Sequence, residues 1–204
     1  CCKKFYIFCF YGIKFSNLPV LVAIPATGDD IHEVDAVGRN LDLEYSYREA
    51  ITVTPRNYPF CFRNLDALES HYAIIGIALV QDDFPLYYDA VNEHGLSIAG
   101  LNFPGNADYK EEVYGMDNLA PFELIPWILG QCRTVEDAKE MFEHLCIVNI
   151  HFSKSIPLTP LHWMISDQKK SIVVEFADFE CPIDGMLYSQ QTYWVMIDVC
   201  QAQK

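Results

Sequence analysis

Apolar residues in this chain fall into short blocks of differing period, and each period predicts an element. The run "YAIIGIALV", 72–80, is continuously apolar and rich in β-branched residues, as for a strand covered on both faces. "LYYDAV" and "LSIAGLNF" flank "NEHG", which predicts a hairpin whose turn closes on Gly95. "LHWMIS" and "SIVVEF" flank "DQKK", a second hairpin around a solvated turn. A shorter stretch from Ile51 to Val53 turns toward strand until "TPRNYP" breaks it with Pro55 and Pro59.

Two helices are predicted between the hairpins. One covers 118–131, with Asn118 as its cap and Gly130 near its end. The other runs from Thr134 to Leu145: Thr134 and Asp137 approximate a capping box, and Val135, Ala138, Met141, Phe142 and Leu145 share one face. Hairpins separated by helices, without strict β-α-β alternation, predict antiparallel sheet with helices packed on it. The expected fold class is α+β, in a single domain spanning 1–204.

Composition narrows the partners. With 28 acidic against 14 basic residues the formal net charge is −14, and no Lys/Arg stripe stands out against it. Binding nucleic acid requires local positive charge to displace counterions, so neither a nucleic acid nor an anionic membrane is the expected partner. Residues 5–26 start as a secretory signal would, with Lys3 and Lys4 ahead of an apolar stretch. Lys14, Ser16, Asn17 and Pro19 interrupt that stretch, and a buried segment is the preferred reading over a signal or a spanning helix. The eight cysteines form no C-x-x-C, no zinc-type His spacing accompanies them, and no metal or other cofactor is expected. Most are read as small buried residues in a reducing compartment.

Several polar residues could carry chemistry. Arg39 and Asp42 stand three apart in "GRNLDLEYSY"; by spacing alone they make an ordinary surface ion pair. Asn102 ends the apolar strand of "AGLNFPG", where it either opens a turn or aims its amide at a developing oxyanion. Among the histidines, His94 lies in the first hairpin turn, His144 in the last turn of the second helix, and His162 at a strand start. No G-x-S-x-G, H-E-x-x-H or glycine-rich phosphate loop is present, so a serine hydrolase, metalloprotease or nucleotide enzyme has no support. Cys1 differs from the other cysteines. An N-terminal cysteine combines a nucleophilic thiolate with an α-amine whose pKa, about 8, suits a general base. Such chemistry needs a cation, an acid and an oxyanion donor, the residue types of Arg39, Asp42 and Asn102.

The motifs "GRNLDLEYSY", "TPRNYPF", "YAIIG", "DDFPLYYDAVNEHGLSIAGLNFPG", "PFELIPWILGQC" and "LHWMISDQKKSIVVE" occur in one order. Together the chain resembles the choloylglycine hydrolases, which comprise bile salt hydrolases and penicillin V acylases. The resemblance is strongest over 38–175, with 1–37 and 177–204 divergent. It implies an N-terminal-nucleophile hydrolase: an αββα sandwich of antiparallel sheets, here incomplete at its C-terminal end. It further implies hydrolysis of a linear amide such as the bond from glycine or taurine to a bile acid. By the resemblance Cys1 is the nucleophile, Arg39 supports its thiolate, Asp42 its amine, and Asn102 donates to the oxyanion. Leu41 is then a substrate contact, and a cytoplasmic homotetramer without metal is the implied assembly.

Two departures from the pattern keep alternatives open. The family's nucleophile leads the first strand shortly ahead of G-R-N-x-D, a register that falls near Ala23, and Cys1, Cys2 and Cys9 all lie upstream of it. A later asparagine motif has only a shadow in "MLYSQQTYW", where Ser189 takes the asparagine's place. The expectations are therefore a bile salt hydrolase, an inactive or truncated homologue lacking the correctly placed cysteine, or a penicillin V acylase.

Overall fold

Asp82 and Asp83 both take left-handed backbone angles, with φ of 51° and 59°, and between them they reverse the chain. Two successive residues at positive φ match the right-handed twist of the strands they join, which is why aspartate and asparagine are favoured there. The strands so joined are β4 (Ile74–Gln81) and β5 (Phe84–Asn92), and the hairpin continues into β6 (Ser97–Asn102). The computed structural model describes residues 48–177 throughout and, beyond them, the backbone of strands β1 (Val20–Ala23), β2 (Val37–Asn40) and β11 (Gln191–Ile197).

The remaining strands are β3 (Ala50–Thr54), β7 (Asp117–Leu119), β8 (Leu145–Ile147), β9 (Leu161–Ser166) and β10 (Ser171–Ala177). Seven of the described strands form an antiparallel sheet in the order β11-β10-β9-β6-β5-β4-β3. Both predicted hairpins are present in it, β5–β6 and β9–β10. The second turns on Asp167, whose Oδ1 accepts from the amides of Lys169 and Lys170 at 2.7 and 2.9 Å. β1 pairs with β2 in a separate antiparallel ribbon, setting Leu21 opposite Arg39.

Helices α1 (Leu124–Gln131) and α2 (Val135–Phe142) complete the α+β layering. Ala90, Ile98, Ile165 and Ile172 lie side by side across four strands and are all buried. α1 packs on β4, β5 and β6 through Leu124, Ile125, Ile128 and Leu129, joining the same core. A Cβ on Gly130 would meet Leu68 Cδ2 at 3.0 Å and His71 Cβ at 3.1 Å, so glycine lets α1 approach the 68–71 segment closely. The opposite row, Ile77, Asp89 and Ala99, is also buried, so the central strands are covered on both faces.

Several expectations are corrected. The helix predicted over 118–131 begins only at Leu124. Asn118 lies in β7 and is no cap: its side chain accepts from Val113 N and donates to the carbonyls of Val113 and Met116. Pro121 disfavours helical backbone at Ala120, which is extended at φ −70°, ψ 150°. A 3-10 turn, Pro121–Glu123, then leads into α1. α2 ends at Phe142; His144 lies in the turn after it, and Leu145 belongs to β8, which pairs in parallel with β7. Cover on β4 fades along the strand, leaving Val80 52% exposed. Cys132 and Cys146 are buried as expected, but Cys61 is exposed. Burial pushes the Cys132 thiol up to about 12, which makes it inert.

Candidate active site

β6 and β9 run side by side until Leu101 pairs with His162 and Asn102 with Leu161. The ladder extends one step past the strand, where Phe103 N donates to Pro160 O at 2.9 Å. On the β9 side Tyr109 Oη accepts from Leu161 N at 2.7 Å and faces the carbonyls of Thr159 and Leu161 at 3.1 and 3.2 Å. Burial pushes that phenol up to about 12, so it remains a donor at neutral pH. The His162 ring stacks on Phe103, centroids 4.6 Å apart and planes within 4°, and Nδ1 lies 3.0 Å from Glu175 Oε1.

These strand ends border a cavity of about 590 Å³. Its walls are mainly apolar, with Ile125, Ile150, Phe152, Ile156 and Leu158 among them, while Asn102 and His162 supply polar groups. Among the described residues the Asn102 side chain carries no hydrogen bond, so its amide is available to a ligand. An apolar chamber of this size with a few convergent polar groups suits a ligand with a bulky apolar body and a polar end.

One wall is aromatic. Phe122 and Phe152 meet edge to face at 5.1 Å, and the Arg63 guanidinium lies 5.8 and 5.6 Å from their centroids. Arg63 Nη2 donates to Phe152 O at 3.0 Å, and Arg63 N donates to Glu123 Oε1 at 2.7 Å. Glu123 Oε2 accepts from Ala120 N at 2.9 Å. Burial still raises the Glu123 carboxyl above its usual value, against these two amides and the Arg63 charge.

Of the residues singled out from sequence, Asn102 ends β6 and lines the cavity. Arg39 is in β2, where only the backbone is described. Cys1, Leu41, Asp42 and Ser189 lie outside the described residues. Sequence reasoning missed the contribution of 150–159. Its signal was present in the apolar spacing of Ile150, Phe152, Ile156 and Leu158, but a Ser153–Ser155 turn interrupts it. Among the described residues no three His, Cys, Asp or Glu side chains gather as a metal site. No helix among them is long and apolar enough to cross a membrane.

Solved structures share this fold. A variant of conjugated bile acid hydrolase from Clostridium perfringens superposes with a TM-score of 0.63 at 41% identity, over 67% of this chain and 43% of that one. Penicillin V acylase from Agrobacterium tumefaciens, at 20% identity and a TM-score of 0.56, shares the fold over 79% of this chain and 45% of its own. The architecture is that of the N-terminal-nucleophile hydrolases, to which the seven-stranded sheet and its helices contribute part of the sandwich. Residues 24–181 match the model of the linear amide C–N hydrolases, choloylglycine hydrolase family, and the chain belongs to that family. A bile salt hydrolase/transferase of Lactiplantibacillus plantarum is 54% identical over 138 residues, 68% of this chain and 43% of the relative. The protein of the same description from Clostridium perfringens is 42% identical over 152 residues, 73% of this chain and 45% of its own length. The chain thus spans less than half the length of these curated relatives.

Proposed function

We propose that this chain carries part of an amide-hydrolase site that cleaves the C–N bond joining glycine or taurine to a bile acid. The observation that carries the reading is the apolar cavity of about 590 Å³ with the free Asn102 amide at its edge. The apolar lining suits a steroid body, and the amide suits the carbonyl oxygen as it becomes an oxyanion.

In the proposed reaction the thiolate of an N-terminal cysteine, Cys1 in this chain, attacks the amide carbonyl. Its α-amine takes the thiol proton and passes it to the leaving nitrogen as the C–N bond breaks. Water then cleaves the thioester, releasing the bile acid and regenerating the thiol. Arg39 steadies the thiolate, Asp42 the ammonium, Asn102 the oxyanion, and Leu41 contacts the substrate. Cytoplasmic location and assembly of the whole protein as a homotetramer belong to the same proposal.

A specific observation favours a second reading. The family match begins at residue 24, and no cysteine lies between it and Arg39. Without a thiol in that register the site would bind conjugated amides and form no acyl-enzyme. Incubation of the full chain with glycocholate or taurocholate, with assay of freed glycine or taurine, separates the two. Release that disappears in Cys1→Ala establishes the hydrolase; binding without release at high protein concentration leaves the non-catalytic homologue. Parallel incubation with penicillin V identifies acylase activity on the same scaffold.

A further inference from the structure

Asn102 stands at a vulnerable place. It is the last residue of β6, and the chain leaves it through Pro104 and Gly105, the latter at a φ of +80°. Strand ends open more readily than strand centres, yet an oxyanion donor must be held to about half an ångström to act on a transition state. Beyond the Phe103 amide the ladder ends, and a turn in which Asn106 N and Ala107 N donate to Phe103 O at 3.3 and 3.2 Å follows; side chains of neighbouring strands add to this backbone restraint.

We propose that His162 is a positioning residue for Asn102, acting with Phe103 and Glu175 as a clamp across the ends of β6, β9 and β10. The inference rests on the reading of Asn102 as the oxyanion donor. His162 pairs in register with Leu101, the residue before Asn102, and its ring lies flat on Phe103, the residue after it. His162 thus meets the chain at the residues on either side of Asn102, through the ladder at Leu101 and through its ring at Phe103. Nδ1, at 3.0 Å from Glu175 Oε1, fixes the rotation of that ring from the next strand. With Nδ1–H given to the carboxylate, the imidazole cannot turn without losing that bond. Tyr109 secures the opposite strand at Leu161, which pairs directly with Asn102.

Simple packing does not account for this choice of residues. The His162 and Glu175 side chains are 23% and 20% exposed, so both are largely withdrawn from water. An apolar side chain would fill the same volume without the desolvation cost of two polar groups. What the pair adds is direction: a ring plane fixed against Phe103 and an azimuth fixed by a carboxylate.

The test is a double-mutant cycle on the full chain with glycocholate, comparing wild type, His162→Ala, Asn102→Ala and the double variant. His162→Ala is expected to lower kcat about tenfold with KM within about twofold, and to have no further effect once Asn102 is alanine. An equal loss in both backgrounds, or a change confined to KM, overturns the clamp. Glu175→Gln, which keeps the shape of the side chain, should give a smaller loss of the same kind and serves if His162→Ala does not fold. A second measurement needs no turnover: the Asn102 side-chain amide signals in a nitrogen-15 spectrum, assigned by their absence in Asn102→Ala. The clamp requires them to move toward random-coil positions in His162→Ala and Glu175→Gln, and unmoved signals overturn it. A wild-type chain that releases no glycine overturns the hydrolase reading instead, and the spectrum then decides the clamp by itself.

Discussion

The side-chain amide of Asn92 donates to the carbonyl of Leu129 at 2.9 Å, tying the β5–β6 turn to the end of α1. The same nitrogen reaches Cys132 O at 2.7 Å, while Oδ1 accepts from His94 N at 3.0 Å and Leu96 N at 3.1 Å. All four of its hydrogen-bonding positions are used, on a side chain that is fully buried. Asn92→Leu leaves two carbonyls and two amides to find new partners, and a loss of about 2–4 kcal/mol is expected. Urea unfolding checks it: the midpoint should fall while the slope stays constant.

Gly76 lies in β4, opposite Ala90 of β5. A Cβ there would run into the Asp89 carbonyl and come within 2.5 Å of Ala90 Cβ, both part of a strand that cannot retreat. Gly76→Ala is therefore expected to cost more than about 3 kcal/mol, in the range of severe overpacking, and to abolish the cooperative thermal transition. Gly105→Ala meets nothing within 4 Å and carries only the strain of its φ of +80°. It should cost about 1–2 kcal/mol in the same experiment.

Ile156 tests the apolar wall of the cavity without touching the polar groups at its edge. Trimming it to alanine removes contact area that only a bulky ligand uses. Affinity for glycocholate is expected to fall about tenfold, equivalent to about 1.4 kcal/mol, by calorimetric titration. A small acetylated amino acid, too short to reach that wall, should bind both forms equally.

The N-terminus of α2 couples stability to pH. Thr134 Oγ1 accepts from Asp137 N at 3.1 Å, and Asp137 Oδ2 accepts from the amides of Arg133 and Thr134 at 2.8 and 3.1 Å. The Arg133 amide is the main reason the Asp137 carboxyl is held below its ordinary 3.8. The unfolded chain then binds the proton more readily, so this contribution is complete above the ordinary value and is lost as pH falls through the folded one. Thr134→Ala and Asp137→Asn should each cost about 1 kcal/mol at pH 7. In Asp137→Asn the difference from wild type should shrink below pH 4, as followed by unfolding at a series of pH values. Glu123 has the opposite sign: its raised carboxyl favours the fold when protonated, an advantage lost as pH rises through its folded value.

Features whose causes are local were legible in the amino-acid order. The β5–β6 and β9–β10 hairpins follow from alternation around Asn92–Gly95 and Asp167–Lys170, and the α2 capping box from two residues three apart. The β4–β5 hairpin was equally local, resting on Asp82 and Asp83 at positive φ, but paired aspartates are a weaker turn signal than asparagine followed by glycine. β7 was illegible as a strand because its parallel partner, Leu145–Ile147, lies more than a helix away in the chain. For such short segments a distant partner overrides local helix preference.

The candidate site divides in the same way. Asn102 could be singled out from its motif and its strand-end position, and the order of the motifs identified the family. The cavity could not be read, because its walls come from 79–88, 100–102, 121–125 and 150–163, segments that meet only when the sheet closes beneath them. His162 is the sharpest case. In sequence it is a histidine ahead of a tryptophan, and it acquires a direction only when β6 sets Phe103 under its ring and β10 sets Glu175 beside Nδ1. Periodicity and turn chemistry act over a few residues, so the sequence by itself determined β4, the β5–β6 and β9–β10 hairpins and the α2 cap. Register across β6, β9 and β10 is a long-range quantity, and only the tertiary structure decided which polar groups face one another.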